Sequence, residues 1–350
     1  MFGTYKEDDV TILLKDITGM VQPQSTAERE ALIQSGVHYC EMLPIEYEPS
    51  ESYLRTFERA LELYAPLTAK SVACLAQQIW REKGSNAVLV SLARAGTPIG
   101  ILLKRYIREK YKADVAHYTI SIIRGRGIDA VAMKYILARH RPEDIQFVDG
   151  WTGKGAIQRE LSSAMSRYPA VDPGLAVLSD PACLARLCAT HDDFLIASSC
   201  LNSTVSGLLS RTFLRSDIIG KDDFHGAVFY KELQDKDLTY HFIDTICSRF
   251  PMEELQAPAL PDAAYSPAEE LRGIATDFGV TDINLIKPSI GEATRVLLRR
   301  MPEIILVHSL HDSEHLEHLY RLADEKGVAV REYPLRCYRA CGIIRSLADN

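Results

Sequence analysis

The sequence predicts an α/β protein: a parallel sheet covered by helices, followed by a smaller second unit. Three observations carry this reading. Short apolar, β-branched runs at 87–92, 115–123 and 145–148 each pass through a glycine-bearing turn into a helical segment, the alternation expected of buried parallel strands. The stretch 251–267 contains Pro251, Pro258, Pro261 and Pro267, which interrupt regular structure and mark a linker. With 350 residues and 47% hydrophobic content, the chain can build two cores.

Taken in order, residues 1–50 form an N-terminal extension of a first domain that reaches residue 250. Leu54, Phe57, Leu61, Leu63, Leu67, Val72, Leu75 and Ile79 recur at helical spacing over 52–83, and Pro66 predicts a break, giving a helical pair. The strand 87–92 leads to a helix over 100–111, and the strand 115–123 to one over 130–138. The strand 145–148 leads to a helix over 155–165. Further strands are expected at 175–178 and 194–197. The second domain, 268–350, reads as a helix (268–277), a break at Lys287-Pro288, a helix (291–300), a strand (304–307), a helix (313–326), a strand (328–331) and a final short helix.

A formal charge of −7 does not mark the whole molecule as a nucleic-acid or membrane-surface binder, so any anion must be gripped locally. The eight cysteines are scattered with no Cys-x-x-Cys pair, unlike a disulfide framework or a zinc tetrad, and no metal site is expected. Reduced thiols fit a cytoplasmic protein. The first residues are acidic where a signal peptide is basic, and no apolar run approaches the ~18 residues of a membrane span.

Ligands of open parallel sheets bind beyond the strand ends. The strand 145–148 ends in Asp149-Gly150-Trp151-Thr152-Gly153-Lys154-Gly155. Glycines there can turn backbone N–H groups inward, and Thr152 and Lys154 add a hydroxyl and an ammonium, which together suit a phosphate. A nucleoside-triphosphate loop needs glycine six positions before the lysine, where Val148 stands.

What remains, a strand, an acid and Thr-Gly, resembles the phosphoribosyl-pyrophosphate loop of type I phosphoribosyltransferases. The resemblance implies that Asp149 holds a ribose hydroxyl, with Gly150 replacing the family's second acid. Arg94-Ala95-Gly96-Thr97 resembles that family's pyrophosphate loop. Arg124-Gly125-Arg126-Gly127 stands where the family carries a mobile loop, whose arginines can chelate pyrophosphate and release it. Asn202 and Ser203 would bind the acceptor. The implied fold is the type I phosphoribosyltransferase-like sheet. The implied activity is transfer, or phosphorolysis, of a ribose 5-phosphate group between a Mg²⁺-bound pyrophosphorylated donor and a base or nucleoside-like acceptor, with Asp149, Arg124 and Arg126 as catalytic residues.

The runs SLARAGTPIG, HYTISIIRGRGID, FVDGWTGKGAI, SSCLNSTVSGLLSRT and DDFHG are similar to a bacterial group found beside tellurite-resistance and stress-response proteins. Its members are described as phosphoribosyltransferase-like, and some are labelled cysteine protease StiP. That label offers a second reading, a cysteine hydrolase with Cys200 as nucleophile and His191 or His225 as base. A third reading is a module that binds ribose phosphate or RNA without chemistry. His308, His311, His315 and His318 recur near one helix face, and a solvated face accounts for them.

Ser289-Ile290-Gly291-Glu292-Ala293-Thr294-Arg295 and Arg339-Ala340-Cys341-Gly342 resemble the Gly-x-Asn-Glu-x-Thr-Lys and Arg-Ala-Cys-Gly motifs of the pelota C-terminal domain, a small α/β/α RNA-binding fold. The resemblance implies RNA contacts by Lys287, Gly291, Glu292, Arg295, Arg299 and Arg339. Residues 268–350 hold 11 Lys+Arg against 13 Asp+Glu, so structured RNA and a scaffold without RNA both stand as readings. The oligomeric state stays open, a homodimer included.

Overall fold

The computed structural model describes residues 2–260 and 266–345, without the side chains of residues 26, 27, 30, 34 and 299. Strands β1 (Thr11–Ile12) and β2 (Lys15–Asp16) precede helices α1 (Thr26–Gln34) and α2 (Glu51–Lys83). Then come β3 (Val88–Ala93), α3 (Gly96–Tyr111), β4 (Ala116–Ile123), β5 (Gly127–Ile128) and α4 (Ala130–Leu137). The unit continues through β6 (Ile145–Val148), α5 (Ala156–Met165), β7 (Leu175–Ser179), β8 (Leu187–Thr190), β9 (Gly226–Ala227) and α6 (Thr239–Cys247).

The main sheet runs β1-β4-β3-β6-β7-β8 with every neighbouring pair parallel, and β5 folds back antiparallel on β4. Its strands are apolar because helices cover both faces: Leu89, Val90, Ile120, Phe147 and Val177 are all fully buried. Since β3, β4, β6 and β7 run the same way, the turns that follow them gather on one edge of the sheet.

A second sheet follows, with α7 (Pro267–Asp277), β10 (Ile286–Pro288), α8 (Ile290–Arg299), β11 (Pro302–Val307), α9 (Ser313–Glu325), β12 (Ala329–Glu332) and β13 (Ala340–Ile344). Its order is β10-β13-β11-β12, with only β11 and β12 parallel. One apolar core joins the two sheets. Phe57, Leu61 and Ala65 of α2 share it with Ile290, Leu297 and Leu316. The Tyr53 hydroxyl donates to the Leu298 carbonyl, and the Tyr64 hydroxyl reaches the Glu314 and His315 carbonyls at 3.2 and 3.1 Å.

Several expectations need correction. Pro66 does not break the helix: α2 is continuous over 51–83, and Pro66 lies on its exposed face, where water can take the carbonyl that a proline cannot serve. The run 194–197 is no strand. Phe194, Leu195 and Ile196 are buried in a loop, and apolar content alone does not distinguish the two. β8 and β10 were not expected, and 340–344 forms a strand where a short helix was expected. β13 lies so tightly on α8 that a Cβ at Gly342 would meet Val296 at 3.0 Å. Residues 346–350 lie outside the described residues. No helix of the described residues is long and apolar enough to cross a membrane.

Candidate active site

The turn after β6 is glycine-rich as expected, but its groups are already engaged. The Asp149 and Thr152 amides donate to the Ala176 and Ser179 carbonyls at 3.1 and 3.0 Å, and the Gly150 amide donates to the Asp149 carboxylate at 2.8 Å. Loss of water around Asp149 pushes its carboxyl up to about 6. Thr152 donates its hydroxyl to Asp180.

The second sheet covers this turn. Lys154 donates to the Ile283 carbonyl at 2.6 Å, and Tyr338 donates to the Gly153 carbonyl at 3.0 Å. The Arg295 guanidinium lies 4.5 Å from the centre of the Trp151 ring, a cation–π contact. Gly155 turns the chain into α5 at φ +73°, and a Cβ there would meet Leu184 at 2.5 Å.

The other expected loops are also tied down. Arg94 donates to Asn202 at 2.9 Å and to the Leu209 carbonyl at 3.1 Å. A Cβ on Gly96 would meet the Val148 carbonyl at 2.5 Å, so the β3 turn presses directly on β6. Thr97 points inward to Thr119 at 2.7 Å. Arg94 and Ala95 line a small pocket together with Ser198, Asn202, Ser206 and Arg295. Ser203 holds Glu46 through both its amide and its hydroxyl, at 3.0 and 2.7 Å.

The expected mobile loop is instead a tight hairpin. The Arg124 amide meets Tyr39, the Gly125 amide meets Glu160, and Arg126 pairs with Glu41 at 2.8 Å. Two exposed arginines remain, but on a short connection held from three sides.

The motif expected to meet RNA faces the first unit. The Ile290 amide at the start of α8 donates to the Asp193 carboxylate at 3.0 Å, and the Arg339 amide does the same at 3.0 Å. Gly291 lies against Trp151, to which a Cβ would come within 3.4 Å. Glu292 pairs with Arg295 at 3.1 Å, and Arg339 with Asp312 at 3.1 Å. Burial lowers the Lys287 ammonium. The Arg299 side chain lies outside the described residues.

The histidine row is a solvated face only in part: His311 is exposed, but its neighbours are engaged. His318 contacts Thr294 at 3.0 Å and burial holds it neutral, while His315 contacts Asp312 at 2.7 Å.

The bases expected for Cys200 serve other groups. Cys200 is only 1% exposed. His225 contacts Ser121 at 2.9 Å. His191 lies between two other thiols: its Nδ1 is 3.5 Å from the Cys183 sulfur, and its Nε2 is 3.6 Å from the Cys188 sulfur.

Of the eight cysteines, Cys183 alone is exposed. It stands in the turn after β7 with φ +51°, in the left-handed region. Asp180 builds that turn. Its carboxylate accepts the Leu184 and Ala185 amides at 3.0 and 2.9 Å besides Thr152, and its carbonyl accepts the Cys183 amide at 3.1 Å and contacts His191 Nδ1 at 3.0 Å. Desolvation, and secondarily the Asp180 charge, push the Cys183 thiol up, so it rests protonated beside His191 Nδ1. Sequence reading missed this pair. Its signal was the spacing of Asp180, Cys183, Cys188 and His191 around one short strand.

Comparison with known proteins agrees with a thiol site and not with ribose-phosphate transfer. Residues 3–247 match the family described as "Tellurite-like stress resistance cysteine protease StiP", and residues 265–346 match the PELOTA RNA binding domain. A protein of Acinetobacter baylyi named Cysteine protease StiP is 38% identical over 371 residues, covering 99% of this chain and 95% of that protein. A crystal structure of a hypoxanthine-guanine phosphoribosyltransferase from Bacillus anthracis aligns at 17% identity and a TM-score of 0.27, over 35% of this chain and 76% of its own. A likeness that weak carries no argument.

The expected phosphoribosyltransferase activity and its phosphoribosyl pyrophosphate donor are therefore withdrawn, overturned by the whole-length match to a cysteine protease. The expected magnesium had one carboxylate at the β6 turn, Asp149, to hold it besides the donor's own phosphates. The chain belongs to the tellurite-like stress resistance cysteine protease StiP family and carries a PELOTA domain at its C-terminal side.

Proposed function

We propose that the chain is a thiol-dependent peptide hydrolase whose nucleophile is Cys183 and whose base is His191. The observation that carries this reading is an exposed thiol on a strand-end turn with an imidazole nitrogen 3.5 Å away. The family's protease description and the name of the Acinetobacter baylyi relative support the reaction class. The cysteine-hydrolase alternative thus replaces transfer, with Cys183 in place of the buried Cys200.

In the first half-reaction, His191 accepts the thiol proton and the thiolate attacks the peptide carbonyl carbon. The C–N bond breaks, the amine leaves with that proton, and a thioester remains on Cys183. Water, deprotonated by His191, then attacks the thioester. The acid is released and the proton returns to sulfur. The buried Asp180 serves both partners: its carboxylate shapes the turn, and its carbonyl accepts the Nδ1 proton in a hydrogen bond once His191 has taken it from the thiol.

The test is hydrolysis of a fluorogenic protein substrate by wild type, Cys183→Ser and Cys200→Ser. Loss in Cys183→Ser with retention in Cys200→Ser is expected. Full activity in Cys183→Ser overturns the assignment.

The PELOTA match supports RNA as a partner of the second unit. With Ile290 and Gly291 turned to the first unit, contact through the N-terminus of α8 requires the two units to part.

A further inference from the structure

His191 has a second neighbour that the hydrolase reading does not use. Its Nε2 lies 3.6 Å from the Cys188 sulfur, and Asp180, Cys188 and His191 each offer a donor atom within 4.8 Å of the other two. Asp180 and Cys188 are buried, and His191 is partly so. We propose that Asp180, Cys188 and His191 bind a borderline-soft divalent cation of the zinc type, with the fourth position open to water.

Two features of the site favour this ion. Zinc holds sulfur at ~2.3 Å and imidazole nitrogen at ~2.0–2.1 Å, which at a tetrahedral angle sets the two donors about 3.5–3.6 Å apart. The Cys188–His191 separation of 3.6 Å already has that value. A mixed sulfur, nitrogen and carboxylate set suits zinc and not magnesium or calcium, which take oxygen ligands.

The outer groups fit as well. Metal-binding histidines almost always donate their other N–H to a carbonyl or carboxylate, and ligating carboxylates are themselves hydrogen-bonded. Here His191 Nδ1 is 3.0 Å from the Asp180 carbonyl, and the Asp180 carboxylate is held by Thr152, Leu184 and Ala185.

One imidazole cannot do both jobs at once. As the base for Cys183, Nδ1 must carry a free lone pair. As a metal ligand through Nε2, the ring keeps its proton on Nδ1, where it donates to the Asp180 carbonyl. Metal binding therefore withdraws the base. This consequence, unlike the site itself, rests on the Cys183 reading above, and it makes the cation an inhibitor of hydrolysis.

The experiment titrates the full chain with cobalt(II) as a spectroscopic probe, then with zinc against a chelating dye. One equivalent should bind with a thiolate-to-cobalt charge-transfer band. Cys188→Ser and His191→Gln should each abolish the band and weaken zinc binding beyond the ~10–100-fold that loss of an outer-shell partner costs. Cys200→Ser should change neither. Because Cys188 is buried and its variant could fold poorly, the partly exposed His191 variant serves as the second arm, with circular dichroism to confirm its fold.

Absence of a thiolate band in wild type, or its survival in both ligand variants, overturns the site. Binding that leaves hydrolysis unchanged overturns the exclusion while the site stands. Binding by a chain that never hydrolyses supports the site and counts against the Cys183 reading alone.

Discussion

The turns after β6 and β7 begin alike and end differently. Both strands are short, buried and adjacent, with Phe147 opposite Leu175, and each is followed by an aspartate. Asp149 has one amide donor and is pushed up to about 6. Asp180 has two amides and the Thr152 hydroxyl. The first turn is roofed by Ile283, Arg295 and Tyr338, while the second leaves Cys183 in solvent beside His191. An inviting turn is therefore not a site until its covering is known, and here the covering comes from residues more than a hundred positions away.

The largest effect that would sharpen this contrast concerns catalysis. Cys183→Ser should lower hydrolysis at least ~100-fold, the scale of losing a positioned nucleophile or base. Because Cys183 is exposed, its melting curve should stay within ~0.5 kcal/mol of wild type. Thr152→Ser and Asp149→Asn should retain most activity, since neither group touches the thiol.

The roof offers the next test. Asp193 is buried and accepts the Ile290 and Arg339 amides. Asp193→Ala strands the buried Ile290 amide, at a cost of about 1–3 kcal/mol, and frees the partly buried Arg339 amide. Limited proteolysis within 251–266 should accelerate. If the parted units expose the start of α8, a fluorescent structured RNA should bind the variant more tightly than wild type in a polarisation titration. Equal binding would mean that RNA does not use that face.

A smaller effect tests the surroundings of Asp149 by pH. Desolvation raises the folded-state carboxyl of Asp149 from 3.8 to about 6. Below 3.8 both the folded and unfolded states hold the proton and there is no penalty. As pH rises toward 6 the unfolded chain releases it first, so stability falls, and above 6 the full penalty stands, on the order of 2–3 kcal/mol. Burial lowers His117 to about 4, which acts in the opposite sense below its ordinary value of 6.5, so the useful quantity is a difference. Urea melts should show Asp149→Asn gaining on wild type between pH 4 and pH 7. A constant difference would mean that Asp149 titrates normally.

Much of the parallel sheet was legible, because buried strands of a parallel sheet must be apolar: 145–148 matches β6 residue for residue, and β3, β4 and β7 lie within a residue of the expected runs. β8 was not, since Leu187–Thr190 mixes apolar and polar residues at the sheet edge. The run 194–197 misled for the complementary reason, being apolar enough for a strand yet buried as a loop. At the site, glycine turns and arginines carry a local signature, whereas Cys183, Cys188 and His191 meet only because β8 returns the chain beside β7. Nothing local separates Cys183 from Cys200. Exposure does, and exposure belongs to the folded state.

The central claim is that Cys183, activated by His191, is the reactive thiol. The most direct measurement treats the folded chain briefly with a substoichiometric peptidyl electrophile at neutral pH, and maps the adduct by mass spectrometry in wild type and His191→Gln. The account predicts one adduct, on Cys183, formed at least ~10-fold more slowly in the variant. An adduct on Cys200, or equal labelling of Cys183 with and without His191, would contradict it.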